Sequence, residues 1–286
     1  MTREIKAIDC FVNTSALLKK EYYAGSIGYL FKNLKEQSKP HTQAQLVKEM
    51  DEAGIERAIL VTDETEPKWV LKAIEKYPDR FIGGHSINPL EGMEAVRKLE
   101  RAVKEFGFKA ANLAAFRVQK PYNDKVYYPI YAKCIELDIP IRMTVGIPGP
   151  KVPGEVQNPI YLDEVCWFFP ELKIAMSHGG EPWVFTCVKL MLKWPNLYYM
   201  TSAFAPSHYP PEIIHYLNTR GADKIMFATA SLIPQKRAME EIKALPFKND
   251  EIRHKFLRGN ALSLYDWGKG KKFKGGGKGR KPANRE

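Results

Sequence analysis

Residues 42 to 61 read Thr-Gln-Ala-Gln-Leu-Val-Lys-Glu-Met-Asp-Glu-Ala-Gly-Ile-Glu-Arg-Ala-Ile-Leu-Val, and this stretch sets the architecture of the chain. Thr42 to Ala53 reads as a helix that runs into Gly54, a residue suited to the left-handed cap that closes a helix. A short apolar run, Ala58-Ile59-Leu60-Val61, follows at once and reads as a strand. The same punctuation returns where Gly92 to Phe106 ends at Gly107, just before Ala110-Ala111-Asn112-Leu113.

Further strands are expected near residues 7–12, 81–84, 139–143, 173–176, 197–200 and 224–227. Helical segments lie between them at Pro129 to Leu137, Leu162 to Phe169, Trp183 to Trp194 and Pro211 to Thr219, with Pro170 and Pro195 as stops. Apolar and amphipathic segments thus alternate as in repeated βα units around a parallel sheet. The expected fold class is α/β, a TIM (β/α)8-type barrel. The Pro- and Gly-rich loop from Gly146 to Asn158 follows a strand end, which in a barrel places it over the active-site face.

The 286 residues fit one barrel domain, since such barrels reach ~250 residues as a single unit. The expected division is 1–267 for the barrel and 268–286 for a disordered Lys/Gly-rich tail. With 44% hydrophobic and 27% charged residues, the body has the composition of an ordinary globular protein rather than a disordered one. There is no run of ~20 apolar residues and no apolar signal segment at the N-terminus, so a cytoplasmic protein without membrane contact is expected. Cys10, Cys134, Cys166 and Cys187 are far apart within apolar segments and read as buried thiols.

The net charge of +11 is unevenly placed: residues 268–286 hold eight Lys or Arg and one Glu, or +7, which leaves +4 for the rest. The tail reads either as a solvated solubility segment or as a weak, salt-sensitive contact to a polyanion. No stripe of basic and aromatic residues, phosphate-binding glycine loop or Gly-x-Ser-x-Gly elbow is present.

The run Asp51 to Leu60, followed by Tyr77-Pro78-Asp79-Arg80-Phe81-Ile82-Gly83, is similar to the opening βα units of an amidohydrolase-superfamily branch. That branch includes aminocarboxymuconate-semialdehyde decarboxylase and the resorcylate decarboxylases. Ile87-Asn88-Pro89, Glu105 to Lys109, Tyr131 to Pro140, Phe168 to Leu172, Ser177-His178-Gly179-Gly180 and Gly259-Asn260-Ala261 continue the resemblance in the same order. Thr144 to Pro150 and Lys193 to Ala203 look like an amidohydrolase-related subgroup that includes hetero-oligomers in which one subunit carries the metal.

The resemblance implies a divalent metal, Zn, Mn or Fe, held by imidazoles and a carboxylate at the C-terminal strand ends, where it polarises a carboxyl or carbonyl oxygen. It also places each ligand position on this sequence. The first-strand Asp-x-His-x-His is Asp9-Cys10-Phe11-Val12-Asn13 here, the fifth-strand His is Thr144, and the eighth-strand Asp is Ala230. Neither Phe11 nor Ala230 can donate an electron pair to a metal. His178 is retained, either as an acid/base group or as a structural loop histidine. Asp9 is a second candidate for acid/base work, or a cap for backbone N–H groups. A rearranged metal set would draw on Asp63, His85 and His178, with Asp63 and Glu64 also compatible with a surface turn. His41, His208, His215 and His254 show no metal-like spacing.

Three functions follow as expectations. The first is a barrel with no metal of its own that partners a related, metal-bearing subunit, within a homo- or hetero-oligomer. The second is an active hydrolase or carboxy-lyase using the rearranged set, or metal-free chemistry on His178 and Asp9. The third is a sensor of a small carboxylated metabolite.

Overall fold

The computed structural model describes residues 6–14, 29–30, 41–62 and 68–268. Asp63, Glu64 and the basic tail from residue 269 lie outside the described residues.

Among the described residues, eight strands run in chain order: β1 (Ala7–Asn13), β2 (Ile55–Thr62), β3 (Phe81–Ser86), β4 (Ala110–Leu113), β5 (Ile141–Thr144), β6 (Ile174–Ser177), β7 (Leu197–Met200) and β8 (Ile225–Met226). Each pairs with the next in parallel, so the sheet order is the sequence order. The two edges meet through Cys10 N–H to Phe227 C=O (3.0 Å) and Ala230 N–H to Phe11 C=O (2.8 Å). Main-chain groups that an open sheet would leave unpaired are satisfied across this seam.

The helices of the described residues are α1 (Gln43–Ala53), α2 (Lys68–Lys76), α3 (Met93–Lys104), α4 (Tyr128–Glu136), α5 (Tyr161–Phe168), α6 (Val184–Lys193), α7 (Pro211–Leu217), α8 (Gln235–Ile242), α9 (Asp250–His254) and α10 (Asn260–Leu264). α1 begins on a capping box in which Thr42 and Gln45 satisfy each other's backbone N–H, and it ends on Gly54 at φ 72°. None of these helices is long and apolar enough to cross a membrane.

Two apolar layers follow from strand alternation. Ile8, Cys10, Ile59, Val61, Ile82, Ala110, Ala175, Met200, Met226 and Ala228 fill the barrel lumen, while the larger cluster packs the helices onto the outside of the sheet. All four cysteines are buried and unbridged. In β1 the register slips between Asp9 and Val12, so one extra residue is accommodated there. As a result Cys10 and Phe11 both belong to the lumen cluster, while Val12 packs outside.

Candidate functional site

The lumen opens at the C-terminal strand ends, and there the structure centres on a residue that the ligand comparison passed over. Arg142 stands on β5, on the same face as Thr144 two residues later, and is almost wholly buried. Its guanidinium carbon lies 3.9 Å from the centre of the Phe11 ring, a close cation–π arrangement. Nε donates to Asn112 Oδ1 at 2.7 Å. Nη1 lies 2.8 Å from Ser177 Oγ, 3.4 Å from Thr144 Oγ1 and 3.4 Å from His178 Nε2.

His178 closes the arrangement. Its ring centre is 5.5 Å from that of Phe11. Nδ1 is 3.1 Å from Ser202 Oγ, which also accepts the His178 backbone N–H at 3.1 Å. Because Arg142 can only donate, Nε2 is the acceptor and Nδ1 carries the proton toward Ser202. Desolvation, reinforced by the Arg142 charge, pulls the imidazole pKa down to about 3, so the ring is neutral across the physiological range. Its backbone is left-handed at φ 70°, as are Ala203, Ala230 and Ser231, and all four follow strands β6 to β8 at the mouth. Such conformations cost ~1–3 kcal/mol each and persist where the surroundings impose them.

The β5 end is held from behind. Tyr122 donates its hydroxyl to Thr144 C=O at 2.7 Å and accepts from Ala115 N–H at 3.3 Å, and burial pushes its own pKa up. Tyr122→Phe leaves the Thr144 carbonyl and Ala115 N–H without this partner, and should lower unfolding free energy by about 1–2 kcal/mol in urea titration.

Asp9 is not brought into this group. Its side chain is fully buried at the seam and accepts from Phe11 N–H (3.2 Å), Thr229 N–H (3.0 Å), Thr229 Oγ1 (2.6 Å) and Gln235 Nε2 (3.0 Å). Burial pushes the carboxyl up, and these hydrogen bonds oppose the shift. The backbone-capping role is the one its contacts support. Asn13 donates its backbone N–H to Ser231 Oγ at 3.1 Å, and Ala230 is buried in the lumen cluster.

The rearranged metal set is not assembled. A Cβ built on Gly84 would meet Asn112, Val61 and Ala110, all lumen residues, so His85, next along β3, points to the outer face. There it lies under the influence of Lys98, Glu91 and Arg101 from the flanking helical layer, and desolvation takes its pKa to about 4. His85 and His178 therefore occupy opposite sides of the sheet, and Asp63 is outside the described residues. Among the described residues, no group of three or more His, Cys, Asp or Glu is placed to hold a metal ion.

Nor do the residues at the inherited positions fit a divalent ion. Phe11 presents a ring, Ala230 a methyl and Thr144 a hydroxyl, and the Arg142 guanidinium touches Phe11, Thr144 and His178. Unit charges 4 Å apart interact by about 4 kcal/mol at an effective dielectric near 20, so a divalent ion beside the guanidinium would meet about twice that in repulsion.

Comparison with known proteins agrees with the fold. The family model described as Amidohydrolase matches residues 36–267. γ-Resorcylate decarboxylase of Polaromonas sp. is 25% identical over 248 residues, covering 65% of this chain and 76% of that protein. 2-Keto-4-carboxy-3-hexenedioate hydratase of Sphingobium sp. is 26% identical over 130 residues, and the match spans 39% of this chain and only 38% of that relative. Among solved structures, a TIM-barrel protein of Bordetella bronchiseptica superposes with a TM-score of 0.73 at 26% identity, over 90% of this chain and 97% of the other. The match runs through the closed eight-stranded barrel, and this chain belongs to the amidohydrolase family, in the branch that includes γ-resorcylate decarboxylase.

Proposed function

We propose that this chain is a metal-independent barrel that does not itself perform the metal-assisted chemistry of its family and serves as the non-catalytic partner of a related, metal-bearing barrel. The observation that carries the reading is the guanidinium of Arg142 set among Phe11, Thr144 and His178. A fixed monocation and a phenyl ring occupy the ground that a ligand set would need. Acid/base work is disfavoured as well. His178 presents its lone pair to a cation, and the Asp9 carboxylate is engaged by four donors at the barrel seam.

The partner half of the reading draws on the outer surface. Ile160, Trp167 and Phe168 at α5, and Phe185 and Leu192 on α6, are exposed large apolar side chains on neighbouring elements. Clusters of this kind commonly mark protein contacts.

The deciding experiment is elemental mass spectrometry on the tag-free protein, before and after incubation with Mn, Zn or Fe and removal of the excess. The expected result is well under 0.1 ion per chain in a folded protein. Stoichiometric metal that survives the wash would overturn the reading. In the same preparation, sedimentation should show the chain joining a related metal-bearing barrel; a lone monomer in its presence would remove the partner role.

A further inference from the structure

The outward faces of α5 and α6 share one spacing and carry opposite charge. At α5 the exposed side chains fall at Ile160, Glu164 and Trp167, and on α6 at Phe185, Lys189 and Leu192. Steps of four and then three residues place each set in a line along its helix. Each line is apolar at both ends and charged in the middle, acidic on α5 and basic on α6. Among the described residues neither central charge has an ion-pair partner. Glu164 accepts from the neutral Asn123 amide at 2.7 Å, and the Lys189 ammonium lies 5.2 Å from the centre of the Phe185 ring.

Asp163 ties the two helices together, accepting from Lys193 Nζ at 2.8 Å and from Trp194 Nε1 at 2.6 Å, so the two lines belong to one surface. Trp167, Phe185 and Phe168 are 69%, 63% and 59% exposed. At ~150–250 Å² per aromatic side chain, these rings alone leave roughly 300–450 Å² open to water, as much as the largest patch of an ordinary monomer. With Ile160, Leu192, Glu164 and Lys189 added, the surface approaches the ~800 Å² per partner of a stable interface.

The charges select what covers it. α5 and α6 each return from one strand of a parallel sheet to the start of the next, so they run in the same direction. In a twofold pair whose axis lies along these helices, α5 of one copy rests on α6 of the other. Ile160 then meets Phe185, Glu164 meets Lys189 and Trp167 meets Leu192, each contact occurring twice. A twofold axis across the helices would set Glu164 on Glu164 and Lys189 on Lys189, which like-charge repulsion opposes.

We propose that the α5–α6 face is a twofold interface between two copies of this chain, with Glu164 and Lys189 pairing across it and Trp167 as its main apolar anchor. This inference rests on the reading of that surface as a protein contact and adds its geometry and its occupant. The unit that partners a metal-bearing barrel is then a dimer.

The test is sedimentation velocity of the full-length, tag-free chain by itself, in a dilution series through the micromolar range, with circular dichroism to check the fold of each variant. The unmodified chain should sediment as a dimer. Glu164→Lys and Lys189→Glu each set like charges face to face and should each weaken the dimer roughly tenfold, and the double swap should restore it to within about twofold. Trp167→Asp should leave a folded monomer. A monomer at every concentration, a dimer indifferent to Trp167→Asp, or a double swap no tighter than either single reversal overturns this inference alone. Stoichiometric metal, or failure of the chain to join a related metal-bearing barrel, overturns the functional reading and leaves the dimer standing.

Discussion

Asp9→Ala should lower unfolding free energy by about 3–5 kcal/mol, the largest loss expected from any single polar side chain in this barrel. The carboxylate accepts four hydrogen bonds at the junction of the first and last strands, from Phe11, Thr229 twice and Gln235. Alanine leaves all four buried donors without this acceptor, and the seam then keeps only its two main-chain bonds and the Asn13 N–H to Ser231 Oγ bond. Asp9→Asn should be milder, since one oxygen is kept while the new amide meets donors instead of offering them an acceptor. Urea unfolding followed by circular dichroism measures both. A loss below about 1 kcal/mol for Asp9→Ala would mean that the seam does not depend on the carboxylate.

The second large effect is on acid stability. His85 and His178 have folded-state pKa values of about 4 and about 3, lowered chiefly by desolvation, against about 6.5 in an unfolded chain. Between those limits the unfolded chain binds more protons than the folded one, so stability falls as pH drops below about 6.5 and the loss saturates once the folded values are passed. At pH 4.5 each of the two accounts for about 2–3 kcal/mol, at 1.36 kcal/mol per pH unit. Unfolding titrations at pH 7.5 and 4.5 should differ by about 4–6 kcal/mol from these two groups, and His85→Leu should remove about half of it. An unchanged difference in His85→Leu would assign the acid sensitivity elsewhere.

How much of this was visible in the sequence varies by element. The barrel was legible because each strand is a short apolar run and several helices end at a glycine or proline; Gly54 does adopt the left-handed cap conformation. α2 and α8 were not singled out. α2, Lys-Trp-Val-Leu-Lys-Ala-Ile-Glu-Lys, is rich in apolar residues but ends without a glycine, and α8, Gln-Lys-Arg-Ala-Met-Glu-Glu-Ile, has few apolar residues and no glycine stop.

At the site, the substitutions at positions 11, 144 and 230 were readable, but their electrostatic consequence was not. Arg142 is the lone charged residue in the buried strand Ile-Arg-Met-Thr, and its spacing from Thr144 already put both on one face. That was the available signal. The side of the sheet taken by His85 was hidden because Gly83 and Gly84 before it have no side chains from which alternation could be counted. The β1 bulge was equally invisible, since an inserted residue leaves the composition of a strand unchanged.

The position of Arg142 also constrains which mutational routes lead out of this sequence. Restoring imidazoles at positions 11 and 13 and a carboxylate at 230 would not rebuild a divalent centre while the guanidinium touches Phe11 and Thr144, two of the four inherited ligand positions, and His178 beside them. Reversion would have to remove Arg142 first. That step strips Asn112, Ser177, Thr144 and His178 of a shared donor before any new ligand exists to replace it. The return path crosses a destabilised intermediate, so this guanidinium and a complete metal-ligand set exclude one another at the β5 end and no single substitution exchanges them.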